Sequence, residues 1–352
     1  MKPHTFTGIQ FLRFLAAAGV LIAHIGLIVH EKLPGLYFPF IDLGLAGVEV
    51  FFAISGFVMI ISTRKIEGMA GAWKDFALRR ILRIVPIYWV ATTLKLAVVL
   101  LIPALALHSE FNLPHTLASY FFIHYQDESG NFSPLHAVGW TLNYEMFFYF
   151  LFTLALFLNQ RPVIMVGLII GMLTLLGLGF DVRSDGNFVA YLQPIMLQFV
   201  IGMGIAYLCL RPAQLPVVVP AILIALGLAG IFYFSVPVNA LGWEGFFLMG
   251  IPSSLLVAGV ALGSPYFDQY VPRLFQQLGD SSYSLYLFHP FILALGAIVI
   301  AKSGWIDSGL LAGLILFTLS VAVSWVIYQV LEIRLTNWLR RYCKPYLISH
   351  SK

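Results

Sequence analysis

Charge is scarce in this chain. Only 10% of its 352 residues are Asp, Glu, Lys or Arg, where soluble domains carry about 25%, so a water-exposed globular surface is excluded. What charge there is nearly cancels. The 20 Lys and Arg exceed the 16 Asp and Glu by +4 and are scattered between apolar runs, which excludes a continuous basic face for nucleic acid. Cysteine is almost absent: Cys209 and Cys343 are the two copies, far apart and near helix ends, leaving no disulfide framework and implying no thiol chemistry. No internal repeat is visible. The first apolar stretch is interrupted by Arg13 and no small-x-small cleavage site follows it, so it reads as a retained membrane span.

Hydrophobic residues make up 60% of the chain, and they come in long runs. About 20 helical residues cross about 30 Å of hydrocarbon, and backbone groups in lipid must be satisfied within the segment. The fold class is therefore all-α, a polytopic integral membrane protein. About ten runs fit, at 9–29, 43–62, 84–106, 136–157, 162–180, 189–209, 215–234, 244–262, 281–301 and 309–331. The stretch from His115 to Tyr125 is too short to cross and reads as interfacial or re-entrant. Gly167 and Gly171 share a small-xxx-small spacing, most simply a helix-packing seam.

Lys and Arg concentrate on cytoplasmic flanks. With ten crossings and an inner N-terminus, fifteen of the 20 fall inside, Lys32, Arg183 and Lys302 outside, and Arg13 and Lys95 within spans. Both termini are thus expected in the cytoplasm. The expectation is one membrane domain over 1–352, with a basic cytoplasmic loop at 63–83, an outer loop at 107–135 and a cytoplasmic tail at 332–352.

Ionisable groups inside spans are costly and default to functional candidates. Taking each span's midpoint as the bilayer centre, His24 lies roughly 7 Å toward the outer side, Glu49 about 5 Å and Glu145 about 3 Å, with His289 and Lys95 near the centre. Each of these groups alone also fits a purely structural role; their convergence on one layer is what argues for chemistry. Arg80 and Arg83 are three apart and share a helical face, a spacing that suits planar forks clamping phosphate as well as ordinary topological anchoring. The outer segment mixes Tyr120, Phe121, Phe122, Tyr125, Phe132 and Trp140 with polar residues, a composition suited to carbohydrate and equally to an interfacial aromatic belt. His124, Asp127 and Glu128 match no standard ligand pattern, so no metal is expected.

The motifs then fall in a known order. Arg13 and His24 stand in the first span with ten residues between them, followed by Gly47-Val-Glu49 leading to Ser55-Gly56-Phe57. Next come Arg79-Arg80-Ile-Leu-Arg83-Ile-Val-Pro86, then Gly139-Trp140-Thr-Leu-Asn-Tyr-Glu145, and lastly Ser282-Tyr-Ser284-Leu-Tyr286-Leu-Phe-His289-Pro290. The chain resembles acyltransferase family 3, the integral membrane acyltransferases of surface carbohydrates, and is similar to their exopolysaccharide O-acetyltransferase branch. It departs from the family's frequent Glu-x-Pro, since Glu332 is followed by Ile333-Arg334, and no appended extracytoplasmic hydrolase-like domain is seen.

The resemblance implies a donor, acetyl-CoA or another acyl-CoA, entering from the cytoplasm. It also implies an acceptor hydroxyl on a polysaccharide or lipid-linked saccharide, and importance for Arg13, His24, Arg80, Arg83 and Glu145. The expected activity is O-acetyl transfer in a bacterial inner membrane, in contact with the lipid bilayer and with polysaccharide synthesis machinery, with no nucleic-acid partner. Acyl transfer needs a base for the hydroxyl proton and an oxyanion stabiliser. His24 is assigned as the base, Glu145 or Glu49 as the carboxylate orienting it, and Arg13, Arg80 and Arg83 as donor-binding residues. The rival readings are a proton-coupled exporter of a lipid-linked saccharide, using the same His and Glu as a relay, and a non-catalytic subunit of a polysaccharide synthase.

Overall fold

Lipid leaves an apolar chain no choice but internal backbone hydrogen bonding, and the computed structural model obeys. It describes residues 6–39, 44–102, 111–125, 133–180, 187–211, 215–234 and 242–348, among which no strand occurs. Lys2, Glu110, Asp127, Glu128, Phe132, Arg183 and Lys352 lie outside the described residues. The main helices are α1 (Thr7–Lys32), α2 (Leu45–Thr63), α3 (Ala72–Leu101), α4 (Leu113–Tyr120), α5 (Trp140–Phe157) and α6 (Pro162–Gly179). They continue with α7 (Pro194–Cys209), α8 (Val218–Tyr233), α9 (Trp243–Leu262), α10 (Arg273–Asp280), α11 (Ser282–Ser303) and α12 (Gly309–Cys343).

Among the described residues, seven helices, α1, α2, α3, α6, α9, α11 and α12, are long and apolar enough to cross a membrane by that measure, against the expected count of about ten. The other three runs are helical but fall short. The run at 189–209 opens in 3-10 turns over Asn187–Leu192 and Pro194–Met196, so its apolar residues outnumber its helical ones. The 16 residues of α8 span about 24 Å. The first two turns of α5 carry Trp140, Asn143, Tyr144 and Glu145. Conversely, the last run does not stop at 331: α12 passes through a π-helical turn, Tyr328–Glu332, and continues to Cys343. Its end is amphipathic, with Leu335 and Leu339 on one face and Arg334, Arg340 and Arg341 on the other.

The chain forms two compact units, Met1–Ile60 with Ile201–Tyr328, and Ile61–Val200 with Gln329–Lys352. In the first unit α1 packs on α10, α11 and α12. Leu21, Ile25 and Val29 of α1 meet Leu285, Leu293 and Ala297 of α11 and Leu316 of α12 in its core. Glycines let backbones touch here. A Cβ on Gly47 of α2 would sit 2.4 Å from the Ala16 carbonyl oxygen of α1, and one on Gly227 of α8 would sit 2.6 Å from the Leu256 nitrogen of α9. These are the small-residue seams that membrane helices use in place of a hydrophobic driving force. Gly167 and Gly171 are not such a seam: a Cβ at Gly167 would only graze Val200 at 3.5 Å, and one at Gly171 would meet nothing within 4 Å.

In the second unit α3 packs on α5, and the end of α12 packs on α3. Phe76 stacks on Phe152 at 4.7 Å between ring centroids, and Phe148 on Phe199 at 4.4 Å. The short α4 has 8 residues, too few to cross. Its N-terminus is capped by the Asn112 side chain, which accepts from the His115 N–H at 3.0 Å. Its far end is tied to α3, where the Tyr88 hydroxyl donates to the Ser119 carbonyl at 3.1 Å and the Trp89 indole to the Tyr120 carbonyl at 2.9 Å.

Candidate functional site

The first unit holds a histidine pair. His24 on α1 and His289 on α11 meet edge to face with ring centroids 4.8 Å apart. Each ring is held by its own helix, His24 Nδ1 lying 2.9 Å from the Val20 carbonyl and His289 Nδ1 3.0 Å from that of Leu285. A carbonyl only accepts, so both Nδ1 atoms carry the hydrogen. In the neutral ring of His24, Nε2 then keeps its lone pair, which is the state a general base requires. His289 is 1% exposed, whereas His24 is only half-buried, so His24 is the one of the two open to a reactant.

The sequence reading gave the orienting role at His24 to a carboxylate, Glu145 or Glu49. In the structure the group that fixes the ring through Nδ1 is the Val20 carbonyl. A histidine in a helix can satisfy itself on the carbonyl four residues back, and no spacing argument between helices detects that. Glu49, on α2 of the same unit, is 2% exposed, and both its carboxylate oxygens are buried without a hydrogen-bond partner among the described residues. An unpaired buried carboxylate is strongly unfavourable unless it is protonated or meets a ligand. Arg13, eleven residues before His24, is half-buried and donates to the Gln10 side chain at 3.1 Å.

The arginines of the second unit have separate roles. Arg79 forms a two-bond fork with Asp75, at 2.7 and 2.9 Å. Asp75, fully buried, also accepts from the backbone N–H of Ile348 at 2.8 Å. That fork neutralises Arg79 and latches the end of the chain to the start of α3. Arg80 turns inward: it is 9% exposed, donates to Ser62 Oγ at 2.9 Å, and lies over the rings of Phe76 and Tyr149 at 5.6 and 5.9 Å. It interacts electrostatically with Tyr149 and Glu145, and the Tyr149 hydroxyl donates to the Glu145 carboxylate. Arg83 is half-buried, and its electrostatic neighbour across helices is Arg340 of α12. Neither Arg83 nor Arg340 has an acidic partner among the described residues.

Sequence reasoning placed Arg80 and Arg83 on one helical face, and the structure gives each its own neighbours. Arg80 belongs with Tyr149 and Glu145, and Arg83 with Arg340, which lies 257 positions further along the chain and is invisible to an i, i+3 rule. It also passed over Asn143 on α5, whose amide is 1% exposed and has neither nitrogen nor oxygen hydrogen-bonded among the described residues. A buried amide left unpaired costs about 1 to 3 kcal/mol, and Asn143 is therefore a candidate to face a reactant. Lys95 sits half-buried on α3. The aromatic segment is partly committed to packing: Tyr125 stacks on His115 at 5.6 Å, Trp140 meets Tyr144 at 5.9 Å, and His124 is enclosed by Tyr144 and Tyr191 at 4.6 and 4.8 Å. Among the described residues, no group of three or more His, Cys, Asp or Glu is placed to hold a metal ion.

Comparison with known proteins bears directly on these residues. The exopolysaccharide production protein ExoZ of Rhizobium meliloti (strain 1021) is 37% identical to this chain over 273 residues, covering 74% of the chain and 79% of ExoZ. No solved structure matches. Residues 6–329 match the acyltransferase-3 family, described as an acyltransferase domain. That stretch contains the histidine pair, Glu49, Asn143, Glu145 and the arginines of α3, while Arg340 lies beyond it. A polytopic helical chain matched over nearly its whole length in this way belongs to acyltransferase family 3 and is a membrane acyltransferase.

Proposed function

We propose that the protein is an O-acetyltransferase of a bacterial inner membrane, moving an acetyl group from acetyl-CoA to a sugar hydroxyl of an exported polysaccharide or its lipid-linked precursor. The carrying observation is His24, whose Nδ1–H is committed to the Val20 carbonyl, leaving Nε2 to act as base. In the proposed reaction Nε2 removes the proton of the acceptor hydroxyl as its oxygen attacks the thioester carbonyl. When the carbon–sulfur bond breaks, the imidazolium returns that proton to the departing thiolate. A direct transfer and an acyl-histidine route share this base. Donor phosphates are assigned to the arginine cluster of α3, where Arg83 has no counter-charge among the described residues, and the similarity to ExoZ supports a polysaccharide acceptor.

Purified protein given acetyl-CoA and a sugar acceptor is expected to release free CoA stoichiometrically with acetylated product. A proton-coupled exporter would release none, so sugar movement without CoA release would overturn the reading.

Both termini are proposed to be cytoplasmic, because fifteen of 20 basic residues then face inward. Crossing by all ten apolar runs gives an even number and puts the ends together, whereas crossing by the seven qualifying helices alone puts them on opposite sides. Reporters fused at either end are expected to read cytoplasmic. An external C-terminal reporter would refute the placement.

A further inference from the structure

Between α3 and the last turns of α12 runs an open groove of about 590 Å³, lined by Ile81, Val85, Trp89 and Val90 on one side and Leu335 and Leu339 on the other. Its lining is nearly all apolar, and its α3 wall from Ile81 to Thr93 rises about 18 Å, close to the about 15 Å depth of one bilayer leaflet. The groove has a charged end. α3 and α12 run antiparallel here, with Arg340 near Arg79 and Arg83. Because Asp75 neutralises Arg79, the free positive charge at that end belongs to Arg83 and Arg340, which have no acidic partner among the described residues. The end of α12 packs on α3, so Arg340 feels the like charge of Arg83, and an anion on Arg340 relieves that repulsion while matching its planar fork.

We infer that this groove seats one anionic phospholipid of the surrounding membrane, its phosphate headgroup on Arg340, next in sequence to the groove-lining Leu339, and one acyl chain along α3, while Arg83 stays with the donor phosphates. Hydrocarbon and phosphate are demanded at opposite ends of one slot, and their separation fits one leaflet, which singles out a bilayer lipid over a soluble anion. The amphipathic end of α12 supplies both wall and headgroup ligand, in the manner of interfacial helices rich in Arg. This inference does not rest on the acyl-transfer reading, since lipid retention is measured without turnover.

Native mass spectrometry of the full chain in detergent, after incubation with phosphatidylglycerol or with phosphatidylcholine, tests it. The wild-type protein is expected to retain one phosphatidylglycerol, about tenfold in preference to phosphatidylcholine. Arg340→Glu, on an exposed side chain, and Leu339→Trp, which fills the groove, are each expected to lower the bound fraction about tenfold, with Arg340→Lys intermediate. Leu168→Trp, on a 63% exposed residue of α6, is expected to bind as the wild type does, and gel filtration confirms that each variant is folded. Equal retention of the two lipids, wild-type binding in both groove variants, or a retained molecule that is not a phospholipid would overturn the inference.

Discussion

His24→Ala is expected to lower acetyl transfer about 10² to 10⁴-fold, the usual yield of a positioned general base, while acetyl-CoA affinity stays near that of the wild type. The loss belongs in kcat, because Nε2 acts on a proton that moves only in the transition state. His289→Ala removes the ring that packs edge to face on His24 and is expected to cost less, since the hydrogen bond from His24 Nδ1 to Val20 stays in place. Steady-state kinetics on purified variants, with equilibrium acetyl-CoA binding measured alongside, checks these outcomes. A folded His24→Ala protein with wild-type turnover would remove His24 from the chemistry.

Arg80 and Arg83 are expected to separate on mutation. Arg83→Ala is expected to raise the KM for acetyl-CoA about tenfold or more with little change in kcat, since a charge-assisted hydrogen bond to phosphate contributes roughly 1.5 to 3 kcal/mol. Arg80→Ala strikes deeper. It leaves the Glu145–Tyr149 pair without its cation and opens a hole beside Phe76, so a loss of stability on the order of 3 kcal/mol is expected, seen as lower thermal stability and folded yield. Arg80→Lys restores charge without the planar contact to two rings and is expected to recover only part. Unchanged donor affinity in an Arg80→Ala, Arg83→Ala double variant would return the cluster to topological anchoring alone.

The helical class was legible in the sequence because lipid imposes it on any chain this apolar. The number of qualifying spans was not, because hydropathy sees composition and not the 3-10 turns that delay α7 or the π turn that carries α12 past Glu332. At the site, residues on one helix were readable and pairings between helices were not. The depths of His24 and His289 placed them in one layer, yet their contact depends on lateral packing of α1 on α11. Arg79, Arg80 and Arg83 look alike in sequence, but one is neutralised by Asp75, one turns inward onto rings, and one faces Arg340. Asn143 and Glu49, without hydrogen-bond partners among the described residues, emerge only once burial is known.

The Asp75 to Ile348 latch also sets an order of events during synthesis. Its two ends are separated by 273 residues, so at ribosomal rates of about 5 to 20 residues per second Asp75 waits roughly 15 to 55 s for the Ile348 N–H. Throughout that interval the start of α3 is an unfinished surface. A nascent chain that stalls before Ile348 leaves the buried Asp75 carboxylate without that donor, a defect set by the far end of α12 yet felt at the start of α3.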